Sequence, residues 1–303
     1  MPDPEDTSEP ETEPTTERWD TLADAVERLP APPGEPEPEP AQPTPFLVTK
    51  EHRRFAEFAD ACRRHRYIGL CHGPPGVGKT LSARRLAHWD DVEPLLMRWR
   101  RHPSEGHDRT DWNTIFYTPT MHASPRIIDK DLQELSARLA YLRATDPFAL
   151  DNHDPHGSGP FTELLVVDEA DRLKMPSLEQ LRDHYDRSRL GLILIGMPGI
   201  EKRLARYPQL YSRVGFVHHY RPLSADEHAF VLAKHWPHLG LADADDFTTA
   251  EAIAAITRIT GGNFRLTSRL ATQIERILDI NQMTTVTKEV VEAARESLVI
   301  GVL

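Results

Sequence analysis

The sequence predicts an α/β protein: a parallel sheet flanked by helices, followed by a small all-helical subdomain and preceded by an acidic tail. Three observations predict it. Short apolar runs alternate with amphipathic helical stretches from residue 48 to residue 220. This is the pattern of βα units, whose right-handed crossovers leave few topologies. One strand-to-helix junction reads Gly73-Pro74-Pro75-Gly76-Val77-Gly78-Lys79-Thr80, a full match to the phosphate-binding pattern G-x-x-x-x-G-K-[ST]. From Ser224 onward, runs of strand length stop and only helical periodicity remains.

Residues 1–45 read as a disordered Pro/Glu-rich tail. They hold 12 of the 26 prolines, and thirteen Asp and Glu against Arg18 and Arg28, which is the whole formal net charge of −11. Such a stretch buries too little apolar surface to order itself. One island, Arg18 to Leu29, spaces Trp19, Leu22, Ala23, Val26 and Leu29 helically. It is either a helix that folds on a partner or a transient helix without one. The rest of the chain is balanced at 34 basic and 34 acidic residues, so its charge neither argues for nor excludes a nucleic-acid surface. Arginine outnumbers lysine 29 to 7, which reads as genome composition. Two cysteines, Cys62 and Cys71, are too few for a disulfide framework. No apolar run approaches the length of a membrane span, and the N-terminus is acidic where a signal peptide would be basic. A soluble cytoplasmic protein is expected.

In chain order, Val48 to His65 reads as a helix capped by Thr49, with Phe55, Phe58, Ala59 and Cys62 on one face. Tyr67 to Cys71 is a buried strand, and Leu81 to His88 continues as a helix after the glycine-rich turn. Between Asp90 and Trp112 lies Met97-Arg98-Trp99-Arg100-Arg101-His102. This basic cluster with an interleaved Trp suits either nucleic-acid backbone or a solvated edge. Asn113 to Tyr117 is the second strand, and Pro125 to Ala144 a helix. Residues 145–162 read as a surface loop, since His153, Asp154 and His156 lack a metal-binding spacing. Leu164 to Val167 is the third strand, Leu178 to Ser188 a helix, Leu190 to Ile195 the fourth strand, Glu201 to Arg206 helical, and Phe216 to Tyr220 the fifth strand. Ser224 caps the first of four further helices. The expected division is therefore a tail (1–45), a nucleotide-binding α/β domain (46–222) and a helical lid (223–303).

The glycine-rich turn aims backbone N–H groups and a positive helix end at one point, which suits a polyphosphate. Gly73, Pro74, Pro75, Gly76, Val77, Gly78, Lys79, Thr80 and Leu81 form the expected nucleotide cradle. Lys79 reaches the β/γ-phosphates, and Thr80 offers its hydroxyl to Mg²⁺. About ninety residues further on, Asp168-Glu169 emerges from the carboxyl end of an apolar strand, where parallel sheets bind ligands. Asp168 is placed to hold Mg²⁺, and Glu169 to polarise the water that attacks the γ-phosphate.

Together with Gly261-Gly262-Asn263-Phe264-Arg265 in the helical part, these motifs resemble an AAA+ ATPase. The Gly-x-x-Arg pattern resembles sensor 2, which implies that Arg265 leans from the lid onto the γ-phosphate. Asp168-Glu169-Ala170-Asp171-Arg172-Leu173, Ile195-Gly196-Met197-Pro198, Leu210-Tyr211-Ser212-Arg213-Val214 and Arg221-Pro222-Leu223 are similar to stretches of transposition ATPases of the TniB/TnsC/MuB type. The resemblance spans roughly residues 46–298. It implies ATP and Mg²⁺ as ligands, and a ring or filament of identical subunits with ATP sites between them. Arg213 is then the candidate arginine finger, with Arg206 as second choice. It further implies largely sequence-nonspecific binding of duplex DNA and regulation of a transposase or integrase. Arg126 and Lys130, and then Arg98 and Arg100, are the candidate DNA contacts. In many such ATPases the helix before the first strand lies beside the adenine, which places residues 46–49 near the base.

One position departs from the family pattern. Many AAA+ proteins end the fourth strand in a polar side chain that helps position the attacking water; here Gly196 and Met197 stand there. Slow hydrolysis is expected, as suits a switch that persists in its ATP state. Two other readings remain open: a signalling NTPase that gates protein assembly without DNA, and a replication initiator or helicase-loader-like ATPase. No internal repeat supports the former, and only five residues follow Leu298 where an initiator would carry a winged helix.

Overall fold

The computed structural model describes residues 46–98, 111–143, 162–243 and 246–298. Five strands, β1 (Ile68–His72), β2 (Thr114–Tyr117), β3 (Leu164–Val167), β4 (Gly191–Gly196) and β5 (Val214–His219), form one sheet in the order β2-β3-β4-β1-β5. Every pairing is parallel. Every residue of β2, β3 and β4 is buried, which is why these strands read as unbroken apolar runs. Edge strand β5 instead alternates half-buried and exposed residues. The phosphate-loop strand β1 lies between β4 and β5, so the carboxyl ends of β1, β3 and β4 are neighbours.

The helices flanking the sheet are α1 (Lys50–His65), α2 (Lys79–Leu86), α3 (Trp89–Arg98), α4 (Pro125–Arg143), α5 (Met175–Arg187) and the short α6 (Ile200–Leu204) and α7 (Pro208–Tyr211). After β5 come α8 (Ala225–His235), α9 (Phe247–Thr260), α10 (Phe264–Asn281) and α11 (Lys288–Glu296). Two hydrophobic cores follow this order, one running from Phe55 to Tyr220 and the other from Val231 to Ala294.

Local sequence explains the helix ends. The Thr49 hydroxyl accepts the His52 N–H at 3.1 Å, and Ser224 and Glu227 form a reciprocal capping box at α8. Sequence pattern missed α3, whose Asp90-Asp91-Val92-Glu93-Pro94 opening hides the apolar spacing. Trp89, Val92 and Leu96 are its buried face. The helix after the glycine turn starts at Lys79, two residues earlier than expected, and β5 starts at Val214 rather than Phe216. The acidic tail with its Trp19 island, the Arg98 side chain, Trp99 to His102 and the His153–His156 loop lie outside the described residues. Among the described residues, no helix is long and apolar enough to cross a membrane, and no three His, Cys, Asp or Glu side chains cluster as metal ligands.

Candidate nucleotide site

The carboxyl ends of β1, β3 and β4 and the start of α10 enclose a cavity of about 650 Å³. Its lining includes Pro75, Gly76, Gly78, Lys79, Thr80 and Leu81 from the glycine loop, and Asp168 and Glu169 from β3. Gly196 ends β4 and Met197 follows it, and Arg265 comes from α10. Pro75 and Arg265, 190 positions apart in the chain, are thus brought to one place by the sheet order and by the lid.

Lys79 is buried, and its Nζ donates to the carbonyls of Gly73 at 2.6 Å and Pro74 at 2.7 Å. These bonds hold the ammonium inside the curl of the loop. Burial lowers its pKa, opposed by the nearby carboxylates of Asp168 and Asp171. The Thr80 hydroxyl donates to Asp168 Oδ2 at 2.6 Å, and the Glu169 N–H donates to Asp168 Oδ1 at 2.8 Å. A hydroxyl and a buried carboxylate in contact form a hard-oxygen donor set that fits Mg²⁺, an ion bound through a few protein oxygens, water and substrate phosphates. When bound, such an ion offsets charge on the phosphate oxygens.

Glu169 has a left-handed backbone (φ 51°), which turns the chain sharply out of β3 into a 3₁₀ turn over Ala170–Arg172. Its carboxylate is ion-paired with Arg172 across that turn, and both residues line the cavity. Two guanidinium bonds from Arg203 of α6, to the carbonyls of Asp171 and Leu173, hold the turn from the side of β4.

The lid is docked on the loop by hydrogen bonds. The Arg265 N–H donates to the Gly76 carbonyl at 3.1 Å, and Asn263 Nδ2 donates to the Pro75 carbonyl at 2.7 Å. Asn263 Oδ1 also caps α10 by accepting the Leu266 N–H at 3.2 Å. Gly76 has a φ of +79°, and a Cβ there would stand 2.6 Å from Asn263 Oδ1 and 2.8 Å from Arg265 Cβ. The second motif glycine therefore serves the lid contact as well as the phosphate curl. The Arg265 side chain is exposed at the cavity.

Other expected residues lie elsewhere. Arg213 forms a two-pronged ion pair with Asp186, Nε to Oδ1 at 2.7 Å and Nη2 to Oδ2 at 3.0 Å, within its own chain. Arg206 is exposed, with no ion-pair partner among the described residues. Arg126 and Lys130 project from the first two turns of α4, both exposed and without a carboxylate within 4 Å among the described residues. Phe46 packs edge-on against His52 with Arg85 over its ring, and it is not part of the cavity lining. Cys62 and Cys71 are buried free thiols, both pushed up to about 12 by burial.

Sequence reasoning gave no role to Asn263, Asp171 or Arg172. The signals were present: an Asn after Gly-Gly at a helix start, an Asp two residues after the Asp-Glu pair, and a cation at i+3 from Glu169. What those signals lacked was a direction for each side chain.

A glycine loop closing on a buried lysine, a Thr–Asp pair at the sheet end and a helical lid hydrogen-bonded to the loop define a P-loop nucleotide-binding domain of the AAA type. Residues 62–204 match the family described as AAA domain. A "Potential ATP-binding protein" of Staphylococcus aureus is 47% identical over 266 residues, covering 85% of this chain and 97% of that protein. The chain belongs to this family of AAA-type P-loop ATPase domain proteins. Two solved structures share the fold at low identity. The Thermotoga maritima RuvB Holliday junction branch migration motor has a TM-score of 0.50 at 16% identity, over 84% of this chain and 71% of that one. The Aeropyrum pernix ORC2 protein in its ADPNP-ADP complexes has a TM-score of 0.51 at 15% identity, over 85% of this chain and 70% of that one.

Proposed function

We propose that the chain binds ATP with Mg²⁺, hydrolyses it slowly, and assembles on duplex DNA as a homo-oligomer that regulates a transposase or integrase in the cytoplasm. The observation that carries the ATP reading is the meeting of Lys79, the Thr80–Asp168 pair and Glu169 with Arg265 around one cavity. Lys79 and Arg265 bring positive charge to the phosphates from the loop and from the lid. Glu169 accepts a proton from the attacking water, and Arg172 holds its carboxylate in a defined direction until then. A positive group added by a neighbouring subunit would raise the rate by several orders of magnitude, and Arg206 and Arg213 are the candidates for it.

The DNA reading rests on the family-like stretches in the sequence and on Arg126 and Lys130, two solvent-facing cations with no carboxylate partner among the described residues. Contacts from such residues go to phosphate, so affinity falls steeply with salt and carries little sequence preference. The test is electron microscopy of the full chain with ATP and random-sequence duplex, alongside binding measured across a salt series. Rings or filaments that need both ATP and DNA are expected, with the Arg126→Ala/Lys130→Ala double variant binding more weakly and with a shallower salt slope. Absence of assembly together with absence of DNA binding at low salt overturns the DNA reading and leaves a nucleotide-gated protein switch.

A further inference from the structure

The end of β4 brings no polar side chain of its own to the cavity. Gly196 has none, and Met197 is apolar. Yet the space beside Gly196 is filled. A Cβ built on Gly196 would stand 2.9 Å from Asp171 Oδ1 and 2.6 Å from Ile200 Cδ1. The Met197 N–H donates to that same Asp171 oxygen at 3.2 Å. Asp171 reaches this place from the 3₁₀ turn after β3, where the carbonyls of Asp171 and Leu173 are held by Arg203. The carboxylate is therefore held between two strand ends, and glycine at 196 is what makes room for it.

Only one of its two oxygens is used. Oδ1 accepts from Met197, while Oδ2 has no protein partner among the described residues, and Asp171 lines the cavity together with Glu169. An ionised carboxylate accepts hydrogen bonds and donates none. Two carboxylates on one side of a phosphate cavity can take the two hydrogens of a single water and leave its lone pair facing away from both. We infer that Asp171 is a water-positioning residue: its free oxygen and Glu169 together orient the nucleophilic water, supplying from the turn the polar group that β4 lacks. This inference rests on the hydrolytic reading of the site. In the step it serves, the water oxygen bonds to the γ-phosphorus and the bond to the β–γ bridging oxygen breaks, its electron pair leaving with ADP. The proton that the water loses passes to Glu169. Asp171 takes no proton and fixes only the direction of attack.

The discriminating variant is Asp171→Asn. It keeps an oxygen for the Met197 N–H, so the turn retains its bond, but it replaces the free acceptor with an amide donor that cannot take a water hydrogen. The expected result is a fall in kcat of about 10- to 100-fold, the scale of losing orientation at a reacting centre, with ATP Kd and Tm close to wild type. Asp171→Ala removes both oxygens and is expected to lower Tm as well. Turnover by Asp171→Asn within about twofold of wild type, or a loss of turnover matched by an equal loss of ATP affinity, overturns the inference while leaving the hydrolytic site intact. That site is tested separately with Glu169→Gln, which should stop turnover and keep ATP binding. A wild-type chain that binds ATP without ever hydrolysing it removes the hydrolytic reading, and the inference with it.

Discussion

The two hydrophobic cores are organised differently. The sheet core is almost wholly aliphatic and aromatic, and its functional polar groups lie at the rim, Lys79 and Thr80 at the start of α2 and Asp168 just past the end of β3, where backbone and side-chain partners are at hand. The lid core is smaller and carries polar groups at its centre. His228 of α8 is fully buried, and its ring nitrogens pair with the hydroxyl oxygens of Thr257 on α9 at 3.0 Å and Thr267 on α10 at 2.8 Å. Hydrophobic contact is non-directional, whereas a satisfied buried polar group fixes geometry. Where the sheet gains order from backbone ladders, the lid gains the relative setting of three helices from one imidazole. One of those helices, α10, carries Asn263 and Arg265 to the glycine loop.

The largest effect that separates the two regions is on pH. Burial pushes His228 down to about 4 from its ordinary 6.5. The unfolded chain takes up a proton on this residue near pH 6.5 while the folded lid refuses one until about pH 4. Stability contributed here is fully present above pH 6.5 and is lost as pH falls from 6.5 toward 4, by about 3 kcal/mol in all. Hydrogen exchange followed from pH 7 to pH 4.5, corrected for intrinsic rates, is expected to show α8, α9 and α10 losing protection ahead of β1, β3 and β4. His228→Leu should flatten that dependence. Equal loss of protection in sheet and lid would show that His228 acts on the molecule as a whole.

The same contrast explains how much was legible in the sequence. The sheet was, because a strand buried on both faces must be apolar throughout and the glycine loop permits one geometry. Leu164 to Glu169 declared both strand and acidic end. The helices of the lid were also visible, through Ser224 with Glu227 and through Gly261-Gly262-Asn263. Their cross-links were not: His228, Thr257 and Thr267 are too far apart in sequence for any local pattern to pair them, and a lone His reads as surface. Asp171 was hidden for a related reason. Its neighbours Asp168 and Glu169 accounted for the acidic run, and only the missing Cβ of Gly196 reveals where the third carboxylate goes.

A smaller effect tests whether docking of the lid is separable from its folding. Asn263→Ala removes both the cap of α10 and the bond to the Pro75 carbonyl, together about 2 kcal/mol. Asn263→Asp keeps the cap acceptor and loses only the donor, isolating the docking bond at about 1 kcal/mol. Urea melts should rank wild type, Asp and Ala in that order, and ATP affinity should fall in both variants, because each frees the helix that carries Arg265. Unchanged ATP affinity in Asn263→Ala would mean that the lid closes on nucleotide without this contact.

The smallest effect concerns Arg213. Its pairing with Asp186 is two-pronged, but both side chains are about a third exposed, and ion pairs in such settings contribute about 0.2–1 kcal/mol. An attachment that weak does not bar the guanidinium from exchanging Asp186 for a phosphate on a neighbouring subunit, where a partly desolvated anion binds it more strongly. Asp186→Asn is therefore expected to lower stability by less than about 1 kcal/mol in urea melts, and to leave ATP turnover at high protein concentration unchanged or raised. A loss well above 1 kcal/mol together with reduced turnover would instead make the pair part of the frame between α5 and β5. Arg213 would then be committed to its own chain, and Arg206, exposed in the segment that joins α6 to α7, would be left as the cation available to a neighbour.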